Sequence, residues 1–221
     1  MPDGAITEPP GRAGGRTGRP PLTEQRKEEI RLEIARAAVE LFVSQGVVAT
    51  TGEQIGQAVG VSARTLWRYF PSKESCVSPL FAAGIEAIAC ALRAWRPDQP
   101  LEDALEGAAT TGDRPMARPH LPKVRALLRL TRTEPGLRAV WLQAHDEAEP
   151  VFARALADRA GLAAVDLRSE IRAAMLNAAL RTAVEHYAWR TDEEEPDAET
   201  AQAELVATIR SALAVAAEGL S

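Results

Sequence analysis

Two cysteines in 221 residues, Cys76 and Cys90, cannot build a disulfide framework. On one helix their fourteen-residue separation would hold them ~21 Å apart, far beyond the ~7 Å Cα limit for a bridge. They are expected to be reduced, partly buried thiols in a cytoplasmic protein. No run of eighteen apolar residues is evident, which argues against a transmembrane helix and a membrane partner. The N-terminus is too polar for a signal peptide. Catalytic signatures are missing too: there is no G-x-S-x-G elbow, no H-E-x-x-H, no glycine-rich phosphate loop and no Cys/His metal spacing. No enzyme, cofactor or metal is therefore expected. Histidine is scarce, at three residues. His120 sits in a proline-bounded loop and His186 late in a helix, where a subunit interface would suit it. His145 has Glu149 one helical turn on, which offers two metal ligands at most and reads better as a surface pair.

An excess of positive charge is also lacking. The net charge is −5 and the pI about 5.4, which at first argues against a nucleic-acid partner. The distribution matters more than the sum. Residues 1–75 carry ten Lys/Arg and nine Asp/Glu, whereas residues 76–221 carry sixteen and twenty-two. The acid lies in the second part. Binding by the first part would depend on where single cations stand, not on a general field.

What is present is helical. Residues 1–22 hold five of the fifteen glycines and five of the fifteen prolines, a composition that builds neither helix nor core. Arg12, Arg16 and Arg19 punctuate this segment, which is either a solvated tail or an arm that follows the DNA backbone or enters the minor groove. From Glu24 to Gln45, Ile30, Ile34, Ala37, Ala38, Leu41 and Phe42 recur on one helical face, and Gly46 stops the helix. Residues 50–74 read TTGEQIGQAVGVSARTLWRYFPSKE. Thr51 and Gln54 have capping-box spacing. Gly60 supplies the left-handed turn, and Ser62 caps a second short helix. Ile55, Ala58, Val61 and Leu66 would face inward, leaving Ala63, Arg64, Thr65, Trp67, Arg68 and Tyr69 on or near the outer face. A helix–turn–helix presenting basic, hydroxyl and aromatic groups suits the DNA major groove. After Pro71, Ser72 would cap a fourth helix running to about Trp95.

These residues resemble the TetR family of bacterial one-component transcriptional regulators. The resemblance runs from Ile30 to Cys76 and rests on Ala37-Ala38, Leu41-Phe42, Gly46, Thr50-Thr51, Ile55, Gly60-Val61-Ser62, Thr65-Leu66, Tyr69-Phe70 and Ser72-Lys73-Glu74. Three residues depart from the pattern. Gly56 replaces a common alanine, at a propensity cost of up to ~1 kcal/mol; Trp67 replaces a common tyrosine; Glu53 stands where some members carry a base-reading cation, and here suits the helix dipole. The resemblance implies that Ala63, Arg64, Trp67 and Arg68 face base edges, and that Thr50, Thr51, Thr65, Tyr69 and Lys73 hold phosphates. Arginine donates two hydrogen bonds to guanine, whereas hydroxyls and ammonium groups fix register on phosphates. The helix N-termini at Thr51 and Ser72 would add N–H groups for phosphate.

Beyond Arg96 no strand alternation occurs. Helical stretches fall near 101–111, 122–132, 136–160, 166–190 and 198–218, and Pro150 should kink or split the third. The last two carry apolar stripes, Leu167, Ile171, Met175, Ala178 and Leu205, Ile209, Leu213, Ala216, Leu220. The resemblance implies that these two helices pair across a twofold axis in a homodimer, and that the second part holds a small-molecule effector. Leu137, Trp141, His145, Ala148 and Phe152 share a helical face; with Phe81, Trp95, Met175, Asn177 and Arg181 they are candidates for a mostly apolar pocket. Asn177 interrupts AAMLNAAL, and an amide there needs a partner, either ligand or backbone.

The expected protein is all-α, with about nine helices: a disordered basic arm at 1–22, a helix–turn–helix DNA-binding domain at 23–75 and a helical ligand-binding and dimerisation domain at 76–221. The expected function is repression at a near-palindromic operator, with release by a small apolar ligand. Two rivals are a DNA-binding regulator whose second domain only dimerises or binds a protein, and an enzyme on a similar fold.

Overall fold

The computed structural model describes residues 23–96, 98–101, 103–105, 121–190 and 197–218. The arginine arm, His120 and most of the stretch expected near 101–111 lie outside them. The described residues form helices α1 (Glu24–Gln45), α2 (Gly52–Ala58), α3 (Ala63–Tyr69), α4 (Ser78–Ala94), α5 (Leu121–Leu130), α6 (Pro135–Arg159), α7 (Leu167–Trp189) and α8 (Ala198–Glu218). Residues 101 and 103–105 are also helical, and no strand occurs among the described residues.

Local chemistry sets the boundaries. Thr23 accepts from Arg26 N–H at the start of α1, and Gly46 ends that helix at φ 87°. Thr51 and Gln54 make both capping-box bonds, Gln54 N to Thr51 Oγ1 at 3.2 Å and Thr51 N to Gln54 Oε1 at 2.8 Å. Gly60 turns at φ 70°, and Ser62 Oγ accepts from Thr65 N at 3.1 Å to open α3. Asp166 accepts from Ser169 N at 2.8 Å to open α7. Each such cap is worth about 0.5–2 kcal/mol.

Four expectations are corrected. Ser72 does not open an α-helix: it exchanges backbone-to-hydroxyl bonds with Ser75, each at 3.1 Å, over a 3₁₀ turn, Glu74–Val77, and α4 begins at Ser78 with Pro79 in its first turn. Pro150 does not split α6, which runs through it. Pro150 and Asp146, whose carbonyl loses its partner there, both lie on the exposed side, where water can satisfy the group. Ala58 is exposed and Val61 half-buried, so Ile55 and Leu66, each fully buried, carry the α2–α3 contact. Finally, Glu74–Ala94 is long and apolar enough to cross a membrane, with a mean hydropathy of 1.7. That apolarity serves the core here: Leu80, Phe81, Ala87, Ala89, Ala91 and Leu92 are buried.

One core joins the helix–turn–helix to the rest. Ile34, Phe42, Ile55, Leu66 and Phe70 pack in the same cluster as Val77, Phe81, Leu127, Leu137 and Trp141. A second cluster holds Leu92, Phe152, Leu180 and Leu213. Helix α4 contributes to both. Of the two apolar stripes, the one on α8 is partly core, with Leu205 and Leu213 buried, while Leu167, Ile171 and Met175 of α7 face solvent.

Candidate nucleic-acid interface and apolar cavity

Helix α3 presents Arg64, Trp67 and Arg68 to solvent, with Ala63, Thr65 and Tyr69 half-buried beside them. Arg64 has no hydrogen-bond or ion-pair partner among the described residues. Arg68 lies 5.4 Å from the centre of the Tyr69 ring, and Tyr69 packs against the core, so that ring anchors one edge of the face. The Ser62 and Thr65 hydroxyls bond each other at 2.9 Å. Trp67 is 43% exposed, and its ring lies over the first turn of α2: a Cβ on Gly52 would come within 2.0 Å of it. Trp67 is therefore both a packed aromatic and part of the outer face. Glu53 is exposed in the first turn of α2.

Gly56 has a structural reason. A Cβ there would meet the Val61 carbonyl oxygen at 2.6 Å, and Val61 N donates to Gly56 O at 2.9 Å. The turn closes directly against the helix backbone, a contact that only glycine allows.

Two expected phosphate ligands are engaged elsewhere. Thr50 is 1% exposed; its hydroxyl donates to Gly46 O at 2.8 Å and accepts from Gln45 Nε2 at 3.2 Å. Lys73 Nζ donates to the carbonyl oxygens of Val47 at 2.5 Å and Thr50 at 2.9 Å. Both side chains hold the α1–α2 turn, as a cation does when carbonyls at a helix end lack partners. Gln45 extends this clasp to Gln54 Oε1 at 3.0 Å. The N–H of Ser72, also expected on phosphate, is taken by Ser75. Thr51 remains exposed, and its hydroxyl keeps its proton while accepting from Gln54.

The second candidate site is a cavity of about 90 Å³ between α4, α5, α6, α7 and α8. Helix α4 supplies Leu80, Phe81, Gly84, Ile85, Ala87 and Ile88 to its wall. The expected pocket residues Phe81, Trp141 and His145 line it; their rings stand edge to face, with centroids 4.9 Å and 4.1 Å apart. The others lie elsewhere. Phe152 is buried in the second core cluster. Trp95 donates to Gln99 O at 2.7 Å beneath the Arg159 guanidinium, 3.6 Å from the ring centre. Met175 is exposed in the groove between α7 and α8. Arg181 pairs with Glu185 at 3.7 Å. Glu185, missed by sequence reasoning, is buried and also accepts from Arg138 at 2.5 Å and from Trp141 Nε1 at 2.8 Å.

His145 is not a surface residue. It is 6% exposed, and its Nδ1 lies 2.6 Å from Asn177 Oδ1. The Asn177 amide donates from Nδ2 to His145 O and to Glu149 Oε1, both at 3.0 Å. Asn177 thus finds both a backbone and a side-chain partner. Burial holds the His145 imidazole below its ordinary pKa; the Asn177 bond opposes this, and the nearby Arg181 cation adds to it. His145 Nε2 has no hydrogen-bond partner among the described residues. No group of three or more metal-ligating side chains occurs among the described residues.

Comparison with known proteins matches residues 34–79 to the bacterial regulatory proteins of the tetR family and residues 99–221 to the MftR C-terminal domain. A curated relative is the HTH-type transcriptional regulator TcmR of Streptomyces glaucescens, 35% identical over 185 residues, which span 77% of this chain and 76% of that protein. Among solved structures, Salmonella enterica GusR aligns over 88% of this chain and 97% of its own, with a TM-score of 0.54 and 21% identity. The fatty acid degradation regulator FadR of Bacillus halodurans aligns over 86% and 96%, with a TM-score of 0.51 and 16% identity.

Proposed function

The chain belongs to the TetR family of DNA-binding transcriptional regulators, and from that premise we propose that it is a cytoplasmic, homodimeric repressor released from its operator by a small apolar ligand. Residues 23–75 form the DNA-reading unit in this reading, residues 76–221 the ligand and dimerisation unit, and residues 1–22 an arm. The observation that carries it is the outer face of α3, where Arg64, Trp67 and Arg68 stand together in solvent on a capped helix. In this reading Arg64, Trp67 and Arg68 face base edges, with Ala63 beside them. Thr51, Thr65 and Tyr69 offer hydroxyls to phosphates.

Dimerisation through α7 and α8 is supported by the apolar surface they expose: Leu167 at 70%, Ile171 at 50% and Val215 at 64%. The groove between these helices is lined by Met175, Ala178, Ala207, Ala212 and other small residues. A partner covering it would remove that surface from water.

Release follows from the size of the cavity. About 90 Å³ is well below the ~300–1,000 Å³ of a drug-sized site. A ligand of that size must push the walls apart, and α4 forms the largest share of them. Helix α4 joins α3 through residues 70–77, so its displacement changes the separation of the two recognition helices of a dimer. Two half-sites at fixed spacing then lose affinity.

Selection from a random DNA pool at physiological salt tests the reading, with an enriched inverted repeat as the expected result. On that repeat, Arg64→Ala should lose ~1–3 kcal/mol of discrimination at one base pair while non-specific binding stays unchanged. Equal loss on specific and non-specific DNA would refute base reading by Arg64.

A further inference from the structure

Among the described residues, two side chains lining the cavity carry a polar atom, Trp141 and His145. Trp141 Nε1 is satisfied by Glu185. Among the side chains that line the cavity, that leaves one imidazole nitrogen, His145 Nε2, without a partner among the described residues, and its hydrogen-bonding sense can be deduced.

The deduction starts at Asn177. One end of its side chain faces two oxygens, the carbonyl of His145 and the carboxylate of Glu149. Both accept only, so the amide NH₂ must occupy that end. The other end, 2.6 Å from His145 Nδ1, is the amide oxygen, which also accepts only. Nδ1 must then carry the ring proton. In a neutral imidazole Nε2 is left with a lone pair and no hydrogen. Nε2 is buried without a partner among the described residues, and a buried acceptor left unmade is unfavourable. The remaining wall is alkyl groups and the Phe81–Trp141–His145 row of rings, which suits an aromatic guest packed edge to face.

Resting on the reading of this cavity as the ligand site, we infer that the ligand is a neutral hydroxylated aromatic molecule whose O–H donates to His145 Nε2. A carboxylate or an acceptor-only ligand would set a lone pair against a lone pair. An ammonium ligand would bring a charge into a wall with no anion on it.

Phenol and toluene, nearly equal in shape, test the assignment by NMR titration of the full-length protein. Phenol should bind about tenfold more tightly, a difference of about 1.4 kcal/mol, the order of one net neutral hydrogen bond. In His145→Phe the ratio should fall to about one or below. The ¹⁵N shifts of the His145 ring in the wild-type protein give a readout that needs no variant: Nδ1 protonated and Nε2 bare without phenol, and a change at Nε2 on adding it. If toluene binds as well as phenol, or if Nε2 carries the proton, the donor assignment is overturned while the cavity remains a ligand site. If neither compound binds, the ligand-site reading itself falls, and the donor assignment with it.

Discussion

Replacing Gly56 by alanine sets propensity directly against geometry. Alanine is better than glycine inside a helix by ~0.8–1.0 kcal/mol, and α2 spans only seven residues, so propensity alone predicts a more stable protein. The structure predicts the opposite sign. The new Cβ would stand 2.6 Å from the Val61 carbonyl oxygen, closer than real Cβ atoms come. The obstacle is backbone, so no side chain can swing aside. The turn must move, and the 2.9 Å bond from Val61 N to Gly56 O moves with it. Overpacking of this kind costs ~1–3 kcal/mol, and a lost backbone bond about 1 kcal/mol more. After the propensity gain, Gly56→Ala should destabilise by ~1–3 kcal/mol. For a chain of this length that lowers Tm by roughly 2–12 °C. Thermal unfolding followed by circular dichroism measures it. Operator affinity should also fall in the folded variant, because the turn sets the angle of α3. A rise in Tm would refute the reasoning and show that the turn yields without loss.

Lys73→Met should destabilise the α1–α2 turn by ~1–3 kcal/mol, because the Val47 and Thr50 carbonyls lose their donor; urea denaturation reads this, and unchanged stability with a weaker salt slope for DNA would return Lys73 to a phosphate role. Cys90 should react with an alkylating reagent in the folded protein while Cys76, buried with its thiol pushed up to about 12, reacts only on unfolding; mass spectrometry of labelled peptides distinguishes them. Acidification should destabilise the fold through His145, whose folded pKa burial holds below 6.5. The unfolded chain binds that proton and the folded chain resists it, so the stability is full above pH 6.5 and declines as pH falls below it. His145→Gln should show a smaller loss between ~pH 7.5 and ~pH 5.5, and an equal loss in both proteins would exclude His145 as the source.

The features that could be read from the sequence are those decided within four residues. Thr51 and Ser62 cap their own helices, and Gly46 and Gly60 end α1 and α2, so chain order alone placed α1, α2 and α3. The face of α3 followed from helical periodicity, which set Leu66 inward and Arg64 outward. Contacts between distant residues were not legible. Lys73 lies 26 positions from Val47, and nothing in its neighbourhood distinguishes a carbonyl clasp from a phosphate contact. His145 and Glu149 looked like a surface pair because Asn177, which buries and orients them, comes 32 positions after His145. Apolar stripes carried the same ambiguity: Leu213 and Leu167 sit in equivalent patterns, yet one is core and the other faces water.

The Trp67 ring resting on Gly52 couples what these two positions can hold. A side chain at position 52 has no room while the indole keeps this position, since the ring occupies the place of its first carbon. A smaller residue at 67 opens that space. Substitution at 67 before 52 avoids this clash, whereas the reverse order requires the half-exposed indole to swing off α2 and so to change the outer face of α3.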